Sequence, residues 1–178
     1  MTLLENYYKQ VIKYDLINKF FYNQLKDIPE LKKIILNFGC KSFEIKSIAA
    51  SLLSLELITT KQGTITQSKR ANILLKIRKG YPVGCIVILT KGKMYQFFFK
   101  LLTEVFPNLK EFKGIKISKN LRNKSFSLTL LDLINFKELE KQFYLFTNLP
   151  PLNIILVTNT KTQKELIYLL SSLKIPFI

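Results

Sequence analysis

Histidine is absent from the 178-residue chain, and cysteine occurs only at Cys40 and Cys85, without the Cys-x-x-Cys spacing of a metal site. These shortages exclude zinc sites of the usual kinds. They also remove the commonest general base and every Ser-His or Cys-His arrangement for nucleophilic catalysis. A disulfide between the two cysteines stays an open alternative, although a small buried thiol is the commoner role of such residues.

Glycine and clustered acids are also scarce. The six glycines form no Gly-rich loop of the kind that cradles phosphates in nucleotide-binding enzymes. The only clustered acids are Asp132, Glu138 and Glu140, and such a group is usually a solvated face. Because no set of catalytic residue types is present, we expect a protein that is not an enzyme and that uses no cofactor.

Long apolar runs are missing as well. Ile86–Leu89 and Phe97–Phe99 are the longest, far short of the roughly 20 residues that a spanning helix needs. Glu5 comes early, and no secretory or transit pattern is visible, so we expect a chain that acts where it is made or was trimmed beforehand. The best amphipathic segment, Met94–Val105, carries too few cations for a membrane-surface helix, and no membrane partner is expected.

Positive charge is what the chain has in excess. Lys and Arg number 28 against 12 acidic residues, which gives a formal net charge of +16. Apolar residues make up 48% of the chain, and 14 Phe and 8 Tyr are spread along it, enough for a hydrophobic core. We therefore predict one folded domain, residues 1–178, rather than a disordered basic tail. Nucleic acid is the first partner that this charge indicates; an anionic membrane surface comes second by charge but lacks the basic amphipathic helix that it needs.

The charge is concentrated in a stretch without acidic residues, between Leu57 and Thr103. Its centre, Thr64–Cys85, predicts a long hairpin with a first strand, a basic turn at Gln67–Asn72, a second strand-like run at Ile73–Ile77 and a close at Gly80–Gly84. Charge of one sign repels itself unless a phosphate backbone neutralises it. A solvated face is the alternative. Amides, hydroxyls and one aromatic ring among the cations favour RNA, because such groups reach bases and sugars.

Periodicity and capping patterns predict an α+β fold. The expected architecture is an antiparallel or mixed sheet with helices on one face, a free opposite face and a long basic hairpin loop. The predicted elements up to the hairpin are a helix capped by Thr2, strand Leu31–Gly39, a helix capped by Ser42 and a turn at Leu57–Gly63. After the hairpin come strand Cys85–Thr90, a turn at Lys91–Lys93, helix Met94–Val105 and a basic loop Lys110–Lys124. The last part contains strand Ser125–Leu131, a loop with a short helix at Phe136–Phe146, strand Leu152–Thr158 and a last helix opened by the capping box Thr162–Glu165.

Several motifs resemble one known family. KIRKGYPVGC at Lys76–Cys85, preceded by TITQSKR at Thr64–Arg70, is similar to the signature of the large-subunit ribosomal protein five family, the 5S rRNA-binding protein of the central protuberance. LNFG at Leu36–Gly39 resembles that family's Asn-Met-Gly turn. MYQFFFKLLTEVFP at Met94–Pro107 and EFKGI at Glu111–Ile115 resemble its central helix and the Phe-Arg-Gly segment that follows. The resemblance runs from end to end.

This resemblance implies a structural role in a ribosome. Family members bind 5S rRNA and large-subunit rRNA with the exposed sheet face and neighbouring loops. They also contact neighbouring proteins of the central protuberance, the small-subunit head and, through the hairpin tip, P-site tRNA; here the tip is Ser68–Leu74. The residues expected to meet RNA are Asn37, Gly39, Thr66, Lys69, Arg70, Asn72, Lys76, Arg78, Lys79, Gly80 and Tyr81. A free-standing RNA-binding regulatory protein is the alternative.

Two departures from the family pattern stand out. The Gly-Arg-Gly-Asn loop before the late strand is here Arg122–Ser125, without glycine, and the tip glycine is replaced by Leu74. The basic residues also show a bias, because 25 of the 28 are Lys. Such a bias indicates an AT-rich coding sequence, as in many organelle genomes. We therefore expect a mitochondrial ribosome, with a plastid or the bacterial cytoplasm as alternatives.

Overall fold

A computed structural model of the protein describes residues 2–40, 45–74, 77–109, 114–115 and 124–178. Five strands form an antiparallel sheet in the order β2-β3-β1-β5-β4, which confirms the predicted α+β class. The strands are β1 Leu31–Gly39, β2 Thr64–Gln67, β3 Pro82–Leu89, β4 Ser125–Leu130 and β5 Leu152–Thr158. The helices are α1 Leu3–Tyr7, α2 Lys13–Lys19, α3 Ile45–Thr59, α4 Lys91–Lys100, α5 Phe106–Asn108, α6 Lys137–Glu140, α7 Phe143–Phe146 and α8 Gln163–Ser172.

The chain divides into two compact units. The first unit comprises residues 1–34, 89–127 and 155–178. The second comprises residues 35–88 and 128–154. The predicted hairpin therefore belongs to the second unit, whereas both chain termini belong to the first.

The N-terminal helix of the first unit is α-helical at both ends and π-helical between them, at Tyr8–Ile12. Its buried residues recur every fourth position, at Leu4, Tyr8, Ile12 and Leu16. In a regular α-helix a four-residue step rotates the side chain by about 40° beyond one full turn. The wider π turn reduces this drift and keeps the four side chains on one face. Thr2 caps the helix as predicted, since its Oγ1 accepts a hydrogen bond from the Glu5 amide at 3.4 Å.

Two further helices of the first unit test the sequence-based boundaries. The α4 helix begins at Lys91, so the predicted turn at Lys91–Lys93 is wrong. The apolar period begins only at Met94, and the exposed cations before it gave no helical signal. The predicted capping box of α8 is confirmed, because Thr162 Oγ1 accepts from the Glu165 amide while Glu165 Oε2 accepts from the Thr162 amide.

The second unit packs α3 against one face of its strands. The Cys85 thiol of β3 donates to the Ile48 carbonyl at 3.6 Å, and burial raises its pKa to about 11. The α3 helix continues to Thr59, so the turn predicted from Leu57 begins too early; Ile58 is buried and extends the core stripe. The predicted cap, Ser42, lies outside the described residues. Both cysteines are free thiols, so the alternative disulfide is not formed.

The segment between β4 and β5 also belongs to the second unit. It holds two short helices, α6 and α7, where one was predicted. Each contributes a buried side chain, Leu139 and Phe146, and both helices pack against α3. Within the described part of the chain, no helix is long and apolar enough to span a bilayer.

Candidate nucleic-acid interface

The hairpin is built from β2 and β3, which pair antiparallel with Thr66 opposite Gly84 and a register shift after Thr66. Gly84 is required at this point. A Cβ atom placed there would lie 2.2 Å from the Phe38 carbonyl oxygen of β1 and 3.1 Å from Thr66 Oγ1. Only glycine therefore lets β3 approach β1 this closely, and this contact fixes the base of the hairpin.

Residues 68–81 form a loop beyond β2 and β3 that we call the basic loop. Two pairs of backbone hydrogen bonds hold its arms together. At its base the Ser68 amide donates to the Tyr81 carbonyl at 2.8 Å, and the Gly80 amide donates to the Ser68 carbonyl at 2.9 Å. Nearer the tip, Asn72 and Ile77 exchange hydrogen bonds of 2.8 and 3.0 Å. Gly80 has a φ of +87°, which favours glycine, so its place in the loop has a conformational reason.

The second strand predicted at Ile73–Ile77 is wrong. Among the described residues this run contributes only the isolated bridge between Asn72 and Ile77, and the strand that pairs with β2 is β3. Ile73 and Leu74 instead form the turn, with side chains 92% and 94% exposed. Their branched apolar character is typical of strands, but no neighbouring strand among the described residues lies there to bury them.

The basic loop carries two cations on each arm. Lys69 and Arg70 follow its first base hydrogen bond, and Arg78 and Lys79 precede its last one; all four side chains are exposed. The two hydrogen-bonded pairs keep the arms adjacent, so the four like charges add to one local positive potential. Lys76, the remaining predicted cation of the loop, lies outside the described residues. The four described cations, Lys69, Arg70, Arg78 and Lys79, are called the collar; they lie between the base of the loop and its exposed apolar tip.

The predicted residues of the sheet lie on the face opposite α3. Leu36 and Phe38 are buried on the helix-covered face of β1, and strand alternation turns Asn37 and Gly39 to the other face. Asn37 is half-buried and Gly39 is exposed. No atom of the described residues would lie within 4 Å of a Cβ at Gly39, so a partner can approach this backbone closely. Thr66, paired with Gly84, is half-buried on the same face.

Two polar residues of the same unit were missed by the sequence analysis. Asn153 lies between buried Leu152 and Ile154 in β5, and Thr129 Oγ1 donates to Asn153 Oδ1 at 2.9 Å. Because β5 is the neighbour of β1 in the sheet, this pair adds hydroxyl and amide groups to the face that carries Asn37. The sequence signal for Asn153 was a single amide inside an apolar strand. Its meaning depends on which strands lie beside β5, and the sequence did not show that.

The acid-free stretch does not form one cationic element. Lys91, Lys93 and Lys100 belong to α4 in the first unit, whereas the basic loop belongs to the second. Lys61 also has a structural contact, since its Nζ donates to the Ile88 carbonyl at 2.6 Å. The described part of the chain holds no cluster of His, Cys, Asp and Glu able to bind a metal ion.

Comparison with known proteins shows the family of the chain. Residues 82–177, just over half of the chain, match the model of the C-terminus of the ribosomal L5 family. The chain belongs to the ribosomal L5 family. It is 38% identical over 178 residues to the large ribosomal subunit protein uL5m of Reclinomonas americana, covering 99% of this chain and 98% of the relative. It is 32% identical over 179 residues to the uL5 protein of Nitrosomonas europaea, covering 99% of both chains. It is 33% identical over 177 residues to that of Wigglesworthia glossinidia brevipalpis, covering 98% of both.

Membership of the L5 family confirms the resemblance seen in the motifs. The family is structural and non-enzymatic, and its members are constituents of the large ribosomal subunit. The model match begins at Pro82, after the basic loop, but the relatives align across nearly the whole chain and so include that loop. A ribosomal L5 protein works among rRNA and other ribosomal proteins, which accords with its net charge of +16.

Proposed function

We propose that this L5 protein binds 5S rRNA and adjoining large-subunit rRNA in the central protuberance. The observation that carries the proposal is the collar of four exposed cations, Lys69, Arg70, Arg78 and Lys79, beside a sheet face that presents Asn37 and Thr66. The cations contact phosphates and supply affinity, while the amide and hydroxyl reach sugars and base edges. Gly39 lets the RNA backbone approach the end of β1.

The tip of the basic loop is proposed to reach P-site tRNA. Ile73 and Leu74 are almost fully exposed beyond the collar, so the apolar tip contacts the tRNA surface while the cations attract its backbone. Contacts with neighbouring proteins of the central protuberance and with the small-subunit head complete the proposal. The glycine-free loop that departs from the family pattern lies outside the described residues at Arg122 and Asn123.

We place the protein in a mitochondrial ribosome. The lysine bias of the chain and its 38% identity to a uL5m protein support this assignment. Bacterial uL5 proteins also match along the whole chain, so a plastid or the bacterial cytoplasm is the alternative. Sedimentation of the tagged protein with purified mitochondrial ribosomes is expected; its recovery only with plastid or bacterial ribosomes would contradict this location.

Binding of the purified protein to RNA tests the proposed function. Gel shifts over a salt series compare the cognate 5S rRNA with an unrelated structured RNA of equal length. We expect 5S rRNA to bind more tightly by at least about a thousandfold, the low end of the ratio between specific and non-specific nucleic-acid affinities. Equal affinities that fall together with salt would instead indicate a general RNA-binding regulator whose charge acts through counterion release.

A double substitution separates the tip from the rest of the interface. Replacing Lys69 and Arg70 by Ala removes the two cations of the first arm and leaves Arg78 and Lys79 of the second arm and the residues of the sheet face unchanged. We expect the variant to enter large subunits normally but to lower P-site tRNA binding by those subunits by about tenfold. Its failure to enter large subunits would contradict this division of roles.

A further inference from the structure

A second exposed surface lies in the first unit, around the segment Phe20–Gln24 that follows α2. Phe21 is at its centre, and with 105% relative exposure its ring is as accessible as in an extended chain. Burying an aromatic ring removes about 150–250 Å² from water. A fully exposed ring therefore indicates an interaction site when the groups near it are complementary to one kind of partner.

Neighbouring rings anchor the segment beside Phe21. The Phe20 ring lies edge-on to Tyr168 of α8, with centroids 5.8 Å apart, and 6.4 Å from the Tyr22 ring. Lys19 Nζ lies 3.9 Å from the centroid of the same Tyr168 ring, a cation–π contact. Because these contacts use Phe20 and Tyr168, Phe21 is left as the exposed ring of the group.

Hydrogen bonds fix both ends of this segment. At the start, the Phe20 amide donates to the Leu16 carbonyl at 2.9 Å. At the end, the Asp27 amide donates to the Gln24 carbonyl at 3.0 Å, and just beyond it the Asn159 side chain donates to the carbonyls of Lys26 and Ile28 at 3.2 and 3.0 Å. The exposed ring therefore lies on a backbone that is already ordered, which reduces the entropy lost when a flat partner stacks on it.

Exposed lysines lie before the segment at Lys19, after it at Lys26 and one helical turn before Tyr168 at Lys164. Two of the acids in this region are engaged in other contacts, and Asp15, one turn before Lys19, is exposed. Asp27 pairs with Lys161 at 2.9 Å, and buried Glu165 accepts hydrogen bonds from backbone amides at the start of α8. The exposed cations of this surface are Lys19, Lys26 and Lys164. Protein interfaces are depleted of charge at their centre. Three exposed lysines and a bare aromatic ring in one region instead match single-stranded nucleic acid, with phosphates on the cations and a base on the ring.

We propose that Lys19, Phe20, Phe21, Tyr22, Lys26, Lys164 and Tyr168, here called the aromatic patch, form a second RNA-binding surface. An unpaired base stacks on Phe21, and the adjacent phosphates contact the three lysines. The proposal rests on the proposed function only for the chemical class of the partner, RNA. It involves no residue of the basic loop or of the uncovered sheet face.

A tryptophan reporter tests the aromatic patch directly. The chain contains no Trp, so Phe21→Trp introduces a single indole at the proposed stacking position. The matched control is Tyr144→Trp in α7, a position 75% exposed in the second unit. Both variants are titrated with a single-stranded uridine dodecamer, and RNA binding is followed in parallel by the anisotropy of a dye on the RNA. Circular dichroism melts verify that both variants are folded.

The expected result is saturable quenching of the indole in Phe21→Trp, together with protection from acrylamide, and neither change in Tyr144→Trp. Adding Lys19→Gln and Lys164→Gln to Phe21→Trp should raise the half-saturating RNA concentration by about tenfold. Unchanged emission from Phe21→Trp while the anisotropy saturates would overturn the proposal, and so would equal quenching of the control. Loss of 5S preference with quenching retained would remove the proposed function and leave the aromatic patch standing.

A cross-link in the assembled particle tests the same surface in its own setting. A photoreactive benzoylphenylalanine replaces Phe21 in the full chain, and large subunits are purified and irradiated. A cross-link to ribosomal RNA is expected. A cross-link to protein alone, or no cross-link from subunits that contain the variant, would show that the ring meets another partner or none.

Discussion

The basic loop and the aromatic patch carry cations in two different ways. In the basic loop, four cations lie on two arms held together by backbone hydrogen bonds, with Ile73 and Leu74 at the tip. In the aromatic patch, three exposed lysines accompany one exposed ring, and side-chain contacts through Asn159 and Tyr168 hold the backbone. The first arrangement maximises charge, and the second combines less charge with a stacking surface.

This difference predicts different responses to salt. Binding through phosphate contacts weakens as salt rises, because releasing counterions from the phosphates is less favourable in concentrated salt. Stacking of a base on an aromatic ring is worth about 1–3 kcal/mol and depends little on ionic strength. The basic loop should therefore determine how steeply affinity falls with salt, and Phe21 how much affinity remains at high salt.

The largest expected effect comes from removing the collar. Replacing Lys69, Arg70, Arg78 and Lys79 by Gln should lower the affinity for the uridine dodecamer by about a hundredfold or more at about 0.1 M salt. The slope of log affinity against log salt should become shallower by up to about 3, because each lost phosphate contact contributes about 0.7 on single strands. Dye anisotropy over a salt series measures both quantities.

Phe21→Ala is the matched control for this charge variant. Added to the charge variant, in which the aromatic patch is left to bind the dodecamer, it should lower the remaining affinity by about tenfold at every salt concentration and leave the slope unchanged. If the charge variant kept the parent slope, or if Phe21→Ala altered it, the two regions would not differ in the way their structures indicate.

A second prediction concerns how the basic loop is supported. Gly84→Ala places a Cβ against the Phe38 carbonyl oxygen and should lower the free energy of unfolding by about 3 kcal/mol, since overpacking of a closed site forces backbone shifts. Thermal melting should show a midpoint lower by about 10 °C. Gly39→Ala is the control, because the space around that position is open. Equal stability of the two variants would contradict the role assigned to Gly84.

Most of the fold was accessible from sequence because its signals were local. The cap at Thr2, the capping box at Thr162, the apolar stripe of α4 and the alternation in β1 each follow from a few neighbouring residues. Boundaries were missed where the signal lay outside the apolar period. The first residues of α4, which include cations, and the last turn of α3 are two examples. Both helices continue past the residues whose periodicity indicates the buried face.

The residues of the candidate sites likewise divide into those with a local signal in the sequence and those without one. The four cations of the basic loop were named from the acid-free stretch, the polar residues among them and the family resemblance, and the structure holds their two arms together by two hydrogen-bonded pairs. Asn153 was missed because its importance depends on β5 lying beside β1, a long-range pairing that no local pattern encodes. Phe21 was missed because an aromatic residue in sequence indicates a core position, and only its exposure reveals a surface role.

The smallest expected effect tests how the aromatic patch is held. Asn159 Oδ1 accepts from the Glu30 amide at 2.6 Å, while its Nδ2 donates to the carbonyls of Lys26 and Ile28. Asn159→Ala should lower the free energy of unfolding by about 2 kcal/mol, because three hydrogen bonds are lost and each has a modest net value. In the Phe21→Trp background it should also weaken quenching by the uridine dodecamer severalfold, since the ring loses its ordered support. Asn153→Ala, which removes only the hydrogen bond with Thr129 on the exposed sheet face, is the control and should change neither measurement. If Asn159→Ala lowered the free energy of unfolding but left the quenching unchanged, the stacking surface would not depend on a fixed backbone.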